Sequence, residues 1–439
     1  MVDSAEGIQL SESAPPIIQL SAVGCHRKTE RKIVSNSGSR AIVIGGSMGG
    51  LFAGILLRKS GWTVEIYERV SAALSGRGAG IVTHAELCAV LEAAGLDPKN
   101  DLGVAVQGRK TFDRSGHVIG TYQCPQIVTA WDRVFRMLLE AFPESNYHSG
   151  KELLRIEFPG EEVVAHFADG TCAEGEMLVG ADGFRSTVRS QILPEVQPSY
   201  AGYVAWRGLV DEQALSERAR KDLFDCLAFC LPPGEQMLGY PVAGPNNDLR
   251  VGHRRYNFVW YRPVSSEQLK DLLTDENGHT HSLSIAPALL RKDVIKDLRD
   301  AVRKLLAPQL QEAVNLNPQP LLQPIYDVET RHMAFGRVAI LGDAAFIGRP
   351  HVAAGVTKAA EDAMALATAL ESGNDVPKAL RIFEQSRMPV NRRIVERGRD
   401  LGVYLQPQLS TEEEYRKAEK HSTPASVMAE IAILDFLRG

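Results

Sequence analysis

The sequence predicts an α/β fold: a β-α-β nucleotide layer, an inserted and mostly antiparallel β-sheet, and helices at the C-terminal end. Three observations predict it. An apolar run at 41–44 opens into Gly45-Gly46-Ser47-Met48-Gly49-Gly50 and then into helical text. From about 200 to 262, alternating and continuous apolar runs are cut by Pro-Gly and Pro-Asn-Asn, the marks of antiparallel strands. A later apolar run, 338–341, ends in Gly342-Asp343 and leads into small-residue helical text.

The elements follow in order. Strand 41–44, loop 45–50, helix 51–60 and strand 63–67 form a β-α-β unit. Helical text recurs at 84–94 and 132–142. Residues 162–167 and 171–174, around Asp169-Gly170, read as a hairpin with a tight turn. Strand 177–179 ends at Gly180-Ala181-Asp182-Gly183. Runs at 203–209, 227–231, 236–242 and 250–262 read as the inserted sheet. Residues 265–315 are polar and partly helical. The strand at 338 returns to the first layer, and helices run from about 355 onward with breaks near Asn374 and Pro407.

A chain of 439 residues, 44% hydrophobic and 23% charged, can bury two domains or one large domain with an inserted layer. The net charge of −5 favours neither nucleic acid nor an anionic membrane. The uncharged run 41–57 is too short and too glycine-rich for a membrane span. Residues 1–38 read as a disordered leader, because their acids balance their bases, unlike transit peptides. Cys226 and Cys230 share one face of a strand. No Cys/His pattern predicts a metal. Buried free thiols in a reducing, cytoplasmic setting are expected.

In a dinucleotide fingerprint the first glycine makes the turn, the second admits the pyrophosphate and the third lets helix pack on strand. Gly45 and Gly50 fill the first and third places; Ser47 stands at the second. Glu68 ends the next strand, where a carboxylate can hold ribose hydroxyls. The competing reading is a glycine-rich turn beside a surface acid. Asp343 likewise ends a strand, and the helix start after it offers unpaired N–H groups to an electron-rich ligand.

Three landmarks in this order, Gly45–Gly50, the run from Val179-Gly180-Ala181-Asp182-Gly183 to Arg189, and Leu341-Gly342-Asp343-Ala344-Ala345, carry a resemblance. The chain resembles the FAD-dependent aromatic hydroxylases, single-component flavoprotein monooxygenases of the para-hydroxybenzoate hydroxylase type. The likeness implies a discontinuous Rossmann-like FAD-binding domain (39–110, 125–198, 330–370), a substrate-binding sheet (111–124, 199–329) and a helical region (371–439). It implies that Gly45, Ser47, Met48 and Gly49 face the pyrophosphate, with Glu68 and Arg69 flanking the adenosine and Arg77 near the flavin and pyrophosphate. Asp182 supports FAD and NAD(P)H handling, and Gly342-Asp343 meets the ribityl chain. Pro350 and the backbone of Ala353, Ala354, Gly355 and Val356 face the flavin. Two positions depart from the family: Phe346 replaces a common histidine, and Trp131 stands where many members have an arginine. The runs around Tyr203, Tyr256 and Arg349-Pro350-His351 resemble the pyridine hydroxylase branch.

The activity so implied is hydroxylation of a hydroxylated ring, a small hydroxypyridine-type substrate, by FAD with NADH or NADPH and O₂ through a flavin hydroperoxide, in a homodimer. Phenolic substrates, an oxidase or dehydrogenase without oxygen insertion, and a non-enzymatic flavin scaffold are the alternatives. Ring-hydroxyl deprotonation suits a group with pKa near neutrality, which points to histidine. His351 leads and His253 follows, with Tyr203, Tyr256 and Arg207 as pocket candidates. Each has a structural competitor: a packed loop histidine, a solvent-facing one, core tyrosines, a structural ion pair. Trp206 and Trp260 are expected to pack the sheet.

Overall fold

The computed structural model describes residues 38–71, 80–372 and 375–438. Most of the expected leader, Arg77 and the break at Asn374 lie outside the described residues.

A six-stranded sheet forms the first layer. Strand Arg40–Ile44 pairs in parallel with Thr63–Glu68 on one side and Met177–Gly180 on the other. Val338–Ile340 joins beside Met177–Gly180, also parallel, in the register Val179↔Ala339. Ile42, Val43, Ile66, Leu178, Val179 and Ile340 are all buried. Continuous apolar strands are what a parallel sheet covered on both faces requires. Each fully buried aliphatic side chain contributes roughly 1.5–3 kcal/mol. The register aligns the strand ends, bringing Gly45, Ala181 and Gly342 to one edge of the layer.

Helix Met48–Lys59 starts earlier than the sequence suggests. Its glycines are built into the helix because it lies directly on the preceding turn. A Cβ on Gly50 would sit 1.8 Å from the Gly45 carbonyl oxygen, and one on Gly45 would meet the Ala181 oxygen at 2.4 Å. Gly45 also has φ +103°, which L side chains rarely adopt.

A nine-stranded, mostly antiparallel sheet forms the second layer, with a single parallel pair, Val104–Phe112 beside Cys226–Cys230. Its strands include Val118–Ala130, Ser199–Asp211, Gln236–Val242, Arg255–Pro263 and Leu321–Glu329. The sheet therefore reaches beyond the 111–124 segment assigned to it from sequence. Gly108 and Lys110 disguise the added strand Val104–Phe112, Pro324 disguises Leu321–Glu329 within the assigned 199–329, and the outer half of Val118–Ala130 is largely exposed.

Period-2 alternation divides the sheet into two faces. Val204, Trp206, Tyr256, Phe258 and Trp260 pack in one cluster with residues of helices Lys292–Leu305 and Pro308–Leu316. Tyr203, Ala205, Leu238, Tyr240, Val259 and Tyr261 pack in the other, with residues of the C-terminal helices. Both tryptophans pack the sheet, as expected. Cys226 and Cys230 lie buried on one strand, whereas Cys172 is exposed, so the expectation of buried thiols does not extend to it. Gly355–Glu371 and the long helix Val376–Gly402 follow the return strand. No helix among the described residues is long and apolar enough to cross a membrane.

Candidate active site

Two cavities adjoin the convergent strand ends. The smaller, about 130 Å³, is lined by Gly45, Ser47, Glu68, Arg69, Lys151 and Asp182 among others. The larger, about 460 Å³, reaches from Asp343 and Gly355 to Arg207, Tyr240 and Tyr261 on the second sheet. The turn after Met177–Gly180 serves both. Phe184 lines the larger, and Gly183 and Arg185 the smaller.

The acids that end the strands have different duties. Glu68 accepts hydrogen bonds from the backbone N–H of Gly46 at 2.7 Å and of Val70 at 2.9 Å. These bonds fix its carboxylate beside the glycine loop. Asp182 accepts from the Thr187 and Val188 N–H groups and from the Ser186 hydroxyl at 2.5 Å. It thereby holds the first two N–H groups of helix Thr187–Ile192, whose N-cap is Ser186, while still lining the smaller cavity. Asp343 is the open one: 52% of its side chain is exposed, and its nearest cation is the buried Lys358, 4.0 Å away.

Arg189 ties two of the landmarks together. Its guanidinium donates to the carbonyls of Phe184 at 2.7 Å and Ala344 at 3.0 Å. This gives the terminal arginine of the Asp-Gly run a structural reason. Phe346 is fully buried in the first core, so the position of the missing histidine is a packing position here. Trp131 opens helix Trp131–Ala141 and stacks on Phe135 with centroids 4.8 Å apart.

Both helix starts leave backbone donors open. Ser47 precedes Met48–Lys59 and Ala354 precedes Gly355–Glu371, each without a side-chain cap bond. The Met48 side chain is buried in the core, so its backbone is what it offers to a ligand. A Cβ on Gly49 would approach Leu341 and Ala359, which places Gly49 at a helix-packing contact. Pro350, Ala353, Gly355 and Val356 line the larger cavity. Ala353 holds φ +53°, unusual for a non-glycine residue.

His351 also lines the larger cavity and is 1% exposed. Its Nε2 lies 2.8 Å from the Tyr203 hydroxyl, and its Nδ1 has no protein partner. Tyr261 packs against the imidazole at 4.6 Å. Burial first, and then the Arg349 guanidinium, push the His351 pKa down to about 3. The expected near-neutral base is therefore a neutral imidazole in this site. Burial raises the Tyr203 pKa well above its ordinary value, so the phenol stays protonated.

Arg349 is held by Asp327, donating from Nη2 at 3.0 Å and from Nε at 3.2 Å, with 6% and 9% of the side chains exposed. Removing one partner of a buried pair strands the other charge, at a cost of about 3–5 kcal/mol. Arg349→Met should lower stability in urea unfolding by that order. A change below about 1 kcal/mol would mean that Arg399, 3.3 Å from Asp327, can hold the acid alone.

The remaining candidates separate. Arg207 lines the larger cavity and donates to Gln323 Oε1 at 2.7 Å; no carboxylate lies within ion-pair distance among the described residues. Tyr256 is excluded from the cavity. It lies on the opposite face of the sheet, against Phe224. His253 is 48% exposed, in a turn 3.9 Å from Asp248, and does not line the cavity. Sequence reasoning missed Tyr240, Tyr261 and Gln323. The signal for Tyr261 was present: it lies an odd number of positions from Tyr256, on the other face, opposite Ala205.

Open helix starts, glycine contacts that side chains would block, and an exposed acid lining the larger of two cavities that share one turn suit an extended dinucleotide with a ring at one end. This is a flavoprotein fold. A family model described as FAD binding domain-like matches residues 200–327. The 2,6-dihydroxypyridine 3-monooxygenase of Paenarthrobacter nicotinovorans is 30% identical over 375 residues, 85% of this chain and 93% of that protein. The 6-hydroxynicotinate 3-monooxygenase of Pseudomonas fluorescens is 28% identical, over 79% of this chain and 87% of that one. The solved 2,6-dihydroxypyridine-3-hydroxylase from Arthrobacter nicotinovorans superposes with a TM-score of 0.79 at 30% identity, covering 86% of this chain and 95% of that one. The chain belongs to the FAD-dependent aromatic hydroxylases, the single-component flavoprotein monooxygenases.

Proposed function

We propose that this protein hydroxylates a hydroxylated aromatic ring, foremost a hydroxypyridine-type heterocycle, using NAD(P)H and O₂. The observation that carries this reading is the composition of the larger cavity. Asp343 and an open helix start line the same cavity as an apolar wall that bears His351 and Arg207. Bound FAD supplies the redox and oxygen-transfer chemistry.

The chain's own residues bind and orient. Glu68, Arg69, Gly45, Ser47 and the backbone of Met48 and Gly49 hold the nucleotide half. Asp343 holds the ribityl hydroxyls, and Gly355 and Val356 offer N–H groups to the ring edge. Asp182 keeps the turn between the two halves rigid. Arg207 favours the ionised form of a ring hydroxyl, because a nearby cation stabilises an anion. His351, fixed through Nε2 by Tyr203, turns Nδ1 to the hydroxyl and holds its proton in a hydrogen bond. Leu227, Leu238 and Val259 exclude water from the ring.

Arg207→Met should raise KM for an ionised ring about ten- to a hundredfold, the equivalent of the roughly 1.5–3 kcal/mol of a charged hydrogen bond. Steady-state kinetics on an ionised ring and a neutral isostere check this; an equal effect on both would remove the charge argument. The function itself is tested by screening hydroxylated pyridines and phenols for stimulated oxidation of NADH and NADPH, with product mass measured. A stimulated product one oxygen atom heavier is expected. Stimulated oxidation without added oxygen would establish the oxidase or dehydrogenase reading instead.

A further inference from the structure

The last part of the described chain turns back onto the second sheet. Its short helix Pro424–Glu430 ends in a turn, and Ile431 and Ala432 of that turn line the larger cavity. The turn is held by three residues, Arg109, Gln126 and His351. Arg109, 1% exposed, donates from Nη1 to the carbonyls of Met428 and Ile431, each at 2.6 Å. Its Nη2 donates to Gln126 Oε1 at 2.8 Å, and the Gln126 amide donates to the Ala432 carbonyl at 3.3 Å. The Ala432 N–H in turn donates to the His351 carbonyl at 2.8 Å.

The backbone records the constraint. Ala432 has φ +55°, in the left-handed region. A non-glycine residue stays there only where its surroundings over-determine it. A buried guanidinium spent on main-chain oxygens, and a strained residue bonded to the His351 backbone, are more than a short helix and its turn need in order to pack. Ile431 itself is 4% exposed and belongs to the same apolar cluster as Leu238, Val259 and Tyr261.

We propose that this turn is the wall that sets substrate size. Ile431 limits the ring substituents the cavity admits. Arg109 is a positioning residue that holds the turn and, through Ala432, the backbone of His351. The inference rests on the ring-hydroxylation reading above and deepens it: the preferred substrate is a compact ring without bulk on the side that meets Ile431.

The test compares Ile431→Ala and the milder Ile431→Val with the unaltered holoenzyme. The probes are two hydroxylated pyridines that differ by one added alkyl group. Ring affinity is read from the perturbation of bound-flavin absorbance, and kcat and KM from product formation. One methylene in an apolar pocket is worth about 10- to 200-fold in discrimination. Ile431→Ala should therefore shift the large-to-small preference about tenfold or more toward the larger ring, with Ile431→Val shifting it less in the same direction and FAD content unchanged. Arg109→Met should raise KM for both rings and lower kcat, and Arg109→Lys, which keeps a donor, should restore part of the loss. An unchanged size preference in both Ile431 variants, with normal FAD content and melting, would overturn the proposal. The two readings fail separately. Rings bound with wall-dependent affinity but never hydroxylated would sink the hydroxylation reading and leave the wall. Rings hydroxylated with an unaltered preference would do the reverse.

Discussion

His351→Ala is expected to lower kcat by about ten- to a hundredfold, the equivalent of the roughly 1.5–3 kcal/mol of one hydrogen bond to a group that gains charge, while FAD stays bound. The reason is geometric. Imidazole Nδ1 is an unpartnered polar atom of a buried side chain lining the cavity, and Tyr203 fixes the ring from the other nitrogen at 2.8 Å. Rapid-mixing kinetics should show slowed product formation with flavin reduction little affected. Unchanged product formation would remove His351 from the chemistry.

The same residue makes a stability prediction whose sign follows from its shift. Folding lowers the His351 pKa from 6.5 to about 3. As pH falls below 6.5 the unfolded chain takes up a proton that the folded chain refuses. Stability is therefore fully present above pH 6.5 and falls by roughly 1.4 kcal/mol per pH unit toward pH 3. His351→Gln cannot titrate, so its urea unfolding free energy should decline less steeply over that window than the parent's. Parallel curves would show that the imidazole is not held neutral.

The second large effect is loss of the cofactor in Gly50→Ala. The added methyl would lie 1.8 Å from the Gly45 carbonyl oxygen, a backbone atom that cannot step aside. Either the helix start or the turn must move, and both are expected to face the pyrophosphate. Overpacking of this kind costs about 1–3 kcal/mol. The purified variant should emerge from gel filtration with much less flavin than the parent and a lower melting temperature. Full retention of flavin would mean that the helix start is not the phosphate site. Gly61 is the matched control: its φ is +90°, yet a methyl added there would have no atom within 4 Å. Gly61→Ala adds strain at a distant turn and should leave flavin content unchanged.

The nucleotide layer could be read from the chain because its constraints are local. Glycines that admit close backbone contacts, acids at strand ends and uninterrupted apolar strands each leave a mark within a few residues. The substrate wall could not be read in the same way. Tyr203 and Tyr256 look alike in sequence, yet strand pairing turns one toward His351 and the other toward Phe224. Only the register separates them, because a shift of one residue exchanges the faces of a strand. Arg109 and Ile431 are more than 300 positions apart, and their contact depends on how residues 424–432 fold back onto the second sheet. The near-neutral pKa expected of His351 failed for a related reason: burial and the Arg349 charge are properties of the packed site.

One measurement bears most directly on the hydroxylation reading: turnover of a hydroxypyridine with NADH or NADPH under isotopically heavy O₂, followed by mass analysis of the ring product. The reading requires one heavy oxygen atom on the ring, with none entering from water. A product without the label, or NAD(P)H oxidation that no hydroxylated ring accelerates, would contradict it.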